Sequence, residues 1–200
     1  MADPVLLIGG QGNIGQRYQA ILRHLEIPFL VHDIDAERDL HEIAFEKAII
    51  CTPTPTHMEY VHLLMKMDKM FLCEKPLTMD PMDEVKPYKR GFVVCNYKFV
   101  AHNHGPVVSV FYDYYKTGND GVLWDCCQLI YLDPDCEICT TSPIWTLAIN
   151  GRPQPYRNLE LSYVQMIKSF CWNNGKELWS LEDGMKMRDA VLDRMEREKK

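Results

Sequence analysis

The stretch Val5-Leu6-Leu7-Ile8-Gly9-Gly10-Gln11-Gly12-Asn13-Ile14-Gly15 decides the fold. Four apolar residues closed by glycines read as a buried strand. Gly10, Gly12 and Gly15 then fit G-x-G-x-x-G, a spacing that also occurs in ordinary turns. Context gives it weight: a strand directly before, and a helix over 13–25 directly after, with Ile14, Tyr18, Ile21, Leu22 and Leu25 at helical spacing. In this setting Gly10 permits the tight turn, Gly12 lets the backbone approach a pyrophosphate, and Gly15 allows helix to pack closely on strand. The helix start offers N–H groups and a positive dipole end to phosphates, so Gln11, Asn13 and Ile14 join the cofactor-binding set.

Strand and helix signals alternate outward from this loop. Phe29-Leu30-Val31, Ala48-Ile49-Ile50-Cys51, Met70-Phe71-Leu72-Cys73 and Phe92-Val93-Val94-Cys95 read as further strands. A helix is predicted over 57–67, with Val61, Leu64 and Met65 on one side. Asp80-Pro81 predicts another short helix, with Asp as N-cap and Pro at the first helical position. Buried strands alternating with helices mean an α/β fold, a doubly wound parallel Rossmann sheet covered on both faces. After about residue 98 the rhythm changes. Long β-type segments are predicted over 107–115 and 138–149, with helices over 121–131, 159–172 and 181–198. Ser180-Leu181-Glu182-Asp183 opens the last with a serine N-cap and acids in the first turn. The chain thus divides into a Rossmann part, 1–98, and a smaller α+β part, 99–200.

Composition sets the outer bounds. Of 200 residues, 46% are hydrophobic and 25% charged, which excludes disorder, collagen-like sequence and a coiled coil. The apolar runs fall short of the roughly 18 residues of a membrane span, and the N-terminal apolar stretch lacks a basic flank, so no secretory signal is expected. A net charge of −6 argues against general affinity for nucleic acid. Eight cysteines in a core-rich chain suit a reducing cytoplasm better than disulfide staples. Cys51, Cys73 and Cys95 read as small buried hydrophobes. Cys126, Cys127, Cys136 and Cys139 could supply thiolates to zinc, but an adjacent pair inside a helix points in different directions, and no metal is expected.

The second strand ends at His32-Asp33, and an acid there accepts hydrogen bonds from the adenosine ribose hydroxyls. It repels a 2′-phosphate, and Ile34-Asp35 follows without an arginine to offset it. NAD is therefore the expected cofactor, ahead of NADP.

Two further segments follow strands: Cys51-Thr52-Pro53-Thr54-Pro55-Thr56-His57 and Cys73-Glu74-Lys75-Pro76-Leu77. With the glycine loop they resemble the Gfo/Idh/MocA oxidoreductases, which include glucose-fructose oxidoreductase, inositol dehydrogenase and biliverdin reductase. The resemblance is close over 4–99, looser over 106–132, and returns at Asn174-Gly175-Lys176 and Ser180-Leu181-Glu182-Asp183-Gly184. It implies that Lys75 approaches the substrate while Glu74 and Pro76 shape the turn. Lys75 also ends a parallel strand, where ligands of open α/β sheets sit, and burial beside the cofactor is expected to lower its pKa. The resemblance adds Cys51, Thr52, Pro53, His57 and Glu74 to the residues lining the cofactor; His57 equally reads as an early helix residue. It also implies a larger second domain than the roughly 102 residues left here, which makes this a shortened member.

Sugar-oxidising members pair an Asp with a His four residues later. Asp125 matches the Asp, but the histidine position reads Leu129, with Gln128 beside it. Leucine moves no proton and glutamine only hydrogen-bonds. Lys75 acting alone, or Tyr97 as proton donor or relay, are the expected replacements, with His102 and His104 near in sequence. Three readings follow: an NAD-dependent oxidoreductase of a sugar, cyclitol or nucleotide-sugar; a dinucleotide-binding sensor or partner protein that has lost catalysis; or a reductase of a conjugated substrate resembling biliverdin reductase. Phe111-Tyr112-Asp113-Tyr114-Tyr115 alternates as a strand, with tyrosines either stacking on substrate or forming an intersubunit sheet face. So small a second sheet predicts pairing with another subunit, a homo-oligomer.

Overall fold

A computed structural model of the chain describes residues 3–33, 39–102, 110–113, 119–139, 146–149 and 151–199. The chain begins β1 (Val5–Ile8), α1 (Asn13–His24), β2 (Phe29–His32), β3 (Lys47–Ile50), α2 (His57–Lys66), β4 (Met70–Cys73) and β5 (Gly91–Val93). These five strands are parallel, in the order β5-β4-β3-β1-β2, with Leu6 opposite Leu30 on one side and Ala48 on the other. Strand order reverses at β1, between β3 and β2. Right-handed crossovers running opposite ways from that point place α1 and α2 on opposite faces, and leave a crevice beyond the carboxyl ends of the strands. The apolar runs form the core: β1 and β4 are buried along their whole length. At the β2 edge, by contrast, Leu30 and Val31 are exposed.

The expected helix at Asp80-Pro81 does not form. Asp80 Oδ1 accepts the Met82 N–H at 2.8 Å, which closes a turn, and Pro87 follows too soon for a helix to propagate. The carbonyls of Asp80 and Asp83 are taken instead by the buried Arg188 guanidinium, at 3.0 and 2.7 Å.

The second half is α3 (Asn96–His102), β6 (Val110–Asp113), α4 (Asn119–Asp125), α5 (Cys127–Leu132), β7 (Glu137–Cys139), β8 (Thr146–Ile149), β9 (Arg152–Pro153), α6 (Tyr156–Trp172), β10 (Trp179–Ser180) and α7 (Leu181–Glu198). The single long strand expected over 138–149 is two strands, lying on either side of β6. β7 pairs with β6 in parallel and β8 pairs with it antiparallel, giving the order β7-β6-β8-β9. The helix expected over 121–131 breaks at Cys126, where both the Leu129 and Ile130 N–H groups bond to the Cys126 carbonyl. Only 110–113 of the predicted strand 107–115 is described; Tyr114, Tyr115 and His104 lie outside the described residues.

The tail returns to the first sheet. β10 pairs antiparallel with β5 as a sixth strand, and α7 packs against β5 and α5. α6 packs on α3 and α1. The serine cap holds as read: Ser180 Oγ accepts the Asp183 N–H at 3.2 Å, and Asp183 Oδ2 accepts the Ser180 N–H at 2.8 Å, a reciprocal capping box. Burial pushes the Asp183 carboxyl up, but hydrogen bonds from Ser180 and Tyr131 outweigh it, and the group titrates below its ordinary 3.8. A lowered folded pKa contributes stability above the unfolded value, lost as pH falls through the folded one. Asp183→Ala is therefore expected to cost about 1 kcal/mol at pH 7. Urea titrations should show that difference shrinking below pH 3.8.

Candidate active site

The carboxyl ends of β1, β2 and β3 enclose a groove of about 520 Å³. Gly9, Gly12, Asn13 and Ile14 form its loop side, Asp33 comes from the end of β2, and Cys51, Thr52 and Pro53 come from the end of β3. Gly9 makes the turn: its φ is +82°, and a Cβ there would stand 2.8 Å from Thr52. This corrects the reading of Gly10, which is constrained by packing instead, since a Cβ would meet Val31 at 2.7 Å. At Gly12 a Cβ would touch only the Gly9 carbonyl, at 3.6 Å, so the space in front of the α1 N-terminus is open. Gly12 is the N-cap, and no side chain caps the helix there. These are the features a pyrophosphate requires, and the residues present fit a dinucleotide.

Asp33 Oδ2 accepts the Gln11 N–H at 2.9 Å, which ties the glycine loop to the end of β2. Cys51 donates its S–H to the Ile8 carbonyl at 3.1 Å. Burial, with Glu74 and Asp33 nearby, pushes this thiol up to about 12. Thr56 and Tyr60 also line the groove. His57 does not. Its ring is buried, with Nδ1 2.9 Å from the Pro76 carbonyl and Nε2 2.8 Å from the Thr52 carbonyl. It braces the cofactor loop against the lysine loop.

Glu74-Lys75-Pro76 follows β4, with a cis bond between Lys75 and Pro76. Lys75 Nζ donates to the Asp125 carbonyl at 2.9 Å and lies 4.0 Å from Asp125 Oδ1. That carbonyl ends α4, where the break at Cys126 stops the helical ladder. The lysine is therefore also a cap on α4. Burial pulls its pKa down, but Cys127, Asp125, Tyr163 and Glu74 together outweigh burial, and the net direction is upward. The expected lowering is not found, because a site with this many acidic neighbours favours the ammonium.

The other candidates have separate places. Tyr97 is buried in α3, and its N–H is held by Gln128 Oε1 at 3.2 Å. Gln128 also donates to Asn96 Oδ1 at 2.8 Å, so it secures the start of α3 and is fully buried. Leu129 is core, 1% exposed. Cys126, Cys127 and Cys136 are buried thiols, all with pKa values raised chiefly by burial. Among the described residues no three His, Cys, Asp or Glu side chains gather as a metal site. The side chains of His102, Tyr112 and Cys139 lie outside the described residues.

Residues 13–90 match the GFO_IDH_MocA family, described as an oxidoreductase family with an NAD-binding Rossmann fold. The match lies within the Rossmann part of the chain. A probable dehydrogenase from Thermotoga maritima superposes with a TM-score of 0.71 at 13% identity, covering 94% of each chain. A myo-inositol dehydrogenase from Corynebacterium glutamicum gives 0.70 at 11% identity, covering 98% of this chain and 96% of that one. The WlbA (WbpB) dehydrogenase from Thermus thermophilus, in complex with NAD and UDP-GlcNAcA, gives 0.61 at 12%, covering 97% and 95%. At such identities these structures speak for the fold alone. No curated protein matches the sequence.

Three positions at the groove and at the turn after β4 escaped the sequence reading. Gly9 needed its backbone angle, which no spacing rule states. Tyr60 lies one turn beyond His57 on α2, a position the helical pattern does contain. Tyr18 read only as an apolar helix position, yet its hydroxyl donates to Glu74 Oε1 at 2.5 Å. The glycines separate two kinds of failure. Gly12→Val should leave thermal unfolding nearly unchanged and abolish NADH binding, read as nicotinamide fluorescence. Gly15→Val, whose Cβ would stand 2.4 Å from the Gly10 carbonyl oxygen, should instead unfold the domain.

Proposed function

We propose that this chain is an NAD-dependent oxidoreductase acting on a CH–OH group of a sugar, cyclitol or nucleotide-sugar. The observation that carries the reading is the groove at the strand-order reversal, with glycines on its loop side, Asp33 just past β2, and Lys75 in the turn after the neighbouring strand β4. Structural neighbours that include a myo-inositol dehydrogenase and a dehydrogenase holding NAD and UDP-GlcNAcA support the substrate class. The preference for NAD rests on Asp33, whose carboxylate favours ribose hydroxyls and repels a 2′-phosphate.

A bound nicotinamide supplies the hydride chemistry. The chain's own residues do the rest. The α1 N-terminus binds phosphate, Asp33 holds ribose, Lys75 hydrogen-bonds the reacting oxygen, and Asp125 holds Lys75. With its pKa raised, Lys75 is an ammonium at neutral pH. In that state it donates a proton to a developing alkoxide, so carbonyl reduction proceeds at neutral pH. Alcohol oxidation needs the neutral amine and rises with pH.

A second reading keeps the cofactor and drops the reaction: a dinucleotide-binding sensor or partner protein. It is favoured by Leu129 in the core, Gln128 committed to α3, and Lys75 spent on the Asp125 carbonyl. We also propose a cytoplasmic setting, in keeping with seven free thiols among the described side chains. Association of copies through the β7-β6-β8-β9 sheet completes the proposal. No helix among the described residues is long and apolar enough to cross a membrane.

Titration with NADH and NADPH, followed by a sugar and cyclitol screen, separates these readings. NADH should bind more tightly, by roughly tenfold or more, a difference of about 1.4 kcal/mol. Lys75→Met should keep NADH binding and remove turnover, and wild-type alcohol oxidation should climb with pH through the neutral range. Binding without turnover on any substrate would favour the sensor.

A further inference from the structure

We propose that Tyr18 and Glu74 are a positioning pair for Lys75, linking the placement of its ammonium to helix α1 at the cofactor groove. The role builds on the reading of Lys75 as the residue that meets substrate. Glu74 is 6% exposed and Tyr18 fully buried. Both carboxylate oxygens are used: Oε1 accepts the Tyr18 hydroxyl at 2.5 Å, and Oε2 accepts the Lys75 N–H at 3.1 Å. The Glu74 N–H is held by the Ile50 carbonyl at 2.9 Å, so the carboxylate stands on β4 and reaches back to α1.

A buried carboxylate is costly, and an apolar pair of the same shape is often as stable or more so. Stability alone therefore does not call for a charge here. The charge holds the Lys75 backbone N–H and also acts on its amine. The titratable groups acting on that lysine are Cys127 from α5, Asp125 from α4, Tyr163 from α6 and Glu74 itself. Cys127 and Tyr163 are neutral at physiological pH, with pKa values pushed up to about 11 and about 12. Two carboxylates remain: Asp125, partly exposed, and Glu74, buried. Glu74 lacks freedom to move because Tyr18 clamps it. Tyr18 is itself wedged edge-on against Tyr163 at 6.1 Å, and Arg17 lies over the Tyr163 ring at 5.0 Å. Arg17 and Tyr18 both stand on α1, the helix whose N-terminus faces the groove. The pair thus carries the position of α1 to the turn that bears Lys75.

The test uses the full chain with Tyr18→Phe, Glu74→Gln and the double variant. The rate at which acetic anhydride acylates Lys75 at pH 8 is read by peptide mass spectrometry, with Lys47 as internal reference. Lys47 is held by the Cys171 carbonyl at 2.5 Å, away from the pair. Each single substitution is expected to raise Lys75 labelling by roughly threefold or more relative to Lys47, because Glu74→Gln removes the charge near the amine and Tyr18→Phe releases the carboxylate that holds the lysine turn. The double variant should add little to either single, as coupled residues do. Lys75 labelling that stays at the wild-type rate, or rises only in step with Lys47 as stability falls, would overturn the proposal. Should Tyr18→Phe fail to fold, the isosteric Glu74→Gln decides alone. NADH titration of the wild type runs beside it: loss of binding there removes the cofactor reading, while the labelling ratio still judges the pair.

Discussion

Helix α1 rests on the glycine loop with no room for a side chain between them. A Cβ on Gly15 would come within 2.4 Å of the Gly10 carbonyl oxygen. That approach sets the height of α1 over β1, and much of the remaining architecture follows from it. At this height the helix start opens onto the groove, and its N–H groups and the positive end of its dipole suit the proposed phosphate. Three residues on, Tyr18 reaches down to Glu74 at the end of β4. The outer side of α1 then receives α6 through Arg17 and Tyr163, so the second half of the chain docks against the helix the glycines place.

Charge is arranged with the same economy. The turn after β4 gathers a buried carboxylate, an ammonium and, across from them, the end of α4 with its unladdered carbonyl and Asp125. Burial alone would lower the pKa of Lys75, and its neighbours reverse that. An ammonium fixed in this way is a proton donor and a hydrogen-bond donor, and a poor base. Leu129, where the family resemblance implies a base, is inside the core, and the neighbouring Gln128 is occupied with the start of α3. Cofactor binding and acid–base chemistry are therefore built on unequal foundations in this chain.

The first half was legible because its strands are short, wholly apolar and closed by glycine or cysteine, and because one motif sat between a strand and a helix. Where reading failed, a long-range partner had won over a local signal. Asp80-Pro81 carries good cap chemistry, but Arg188, more than a hundred positions away in the chain, takes the carbonyls a helix would have used. Strand β10 has two residues, too few for any periodicity, and exists because β5 offers an edge. The segment 138–149 looks like one strand since both of its ends are β-type, while pairing with the two sides of β6 divides it. His57 fell at the right end of the right strand, yet two carbonyls draw its ring inward. Tyr18 shows the reverse: a residue read as core whose ring is core and whose hydroxyl belongs to the site.

The proposed function requires that one groove hold the dinucleotide and deliver its reactive end to Lys75. A crystal structure with NADH tests this most directly. Pyrophosphate is expected against Gly12 and Asn13, the adenosine ribose on Asp33, and the nicotinamide beyond Thr52 and Pro53 within reach of Lys75 Nζ. Cofactor bound elsewhere on the chain, or a nicotinamide directed away from Lys75, would contradict it.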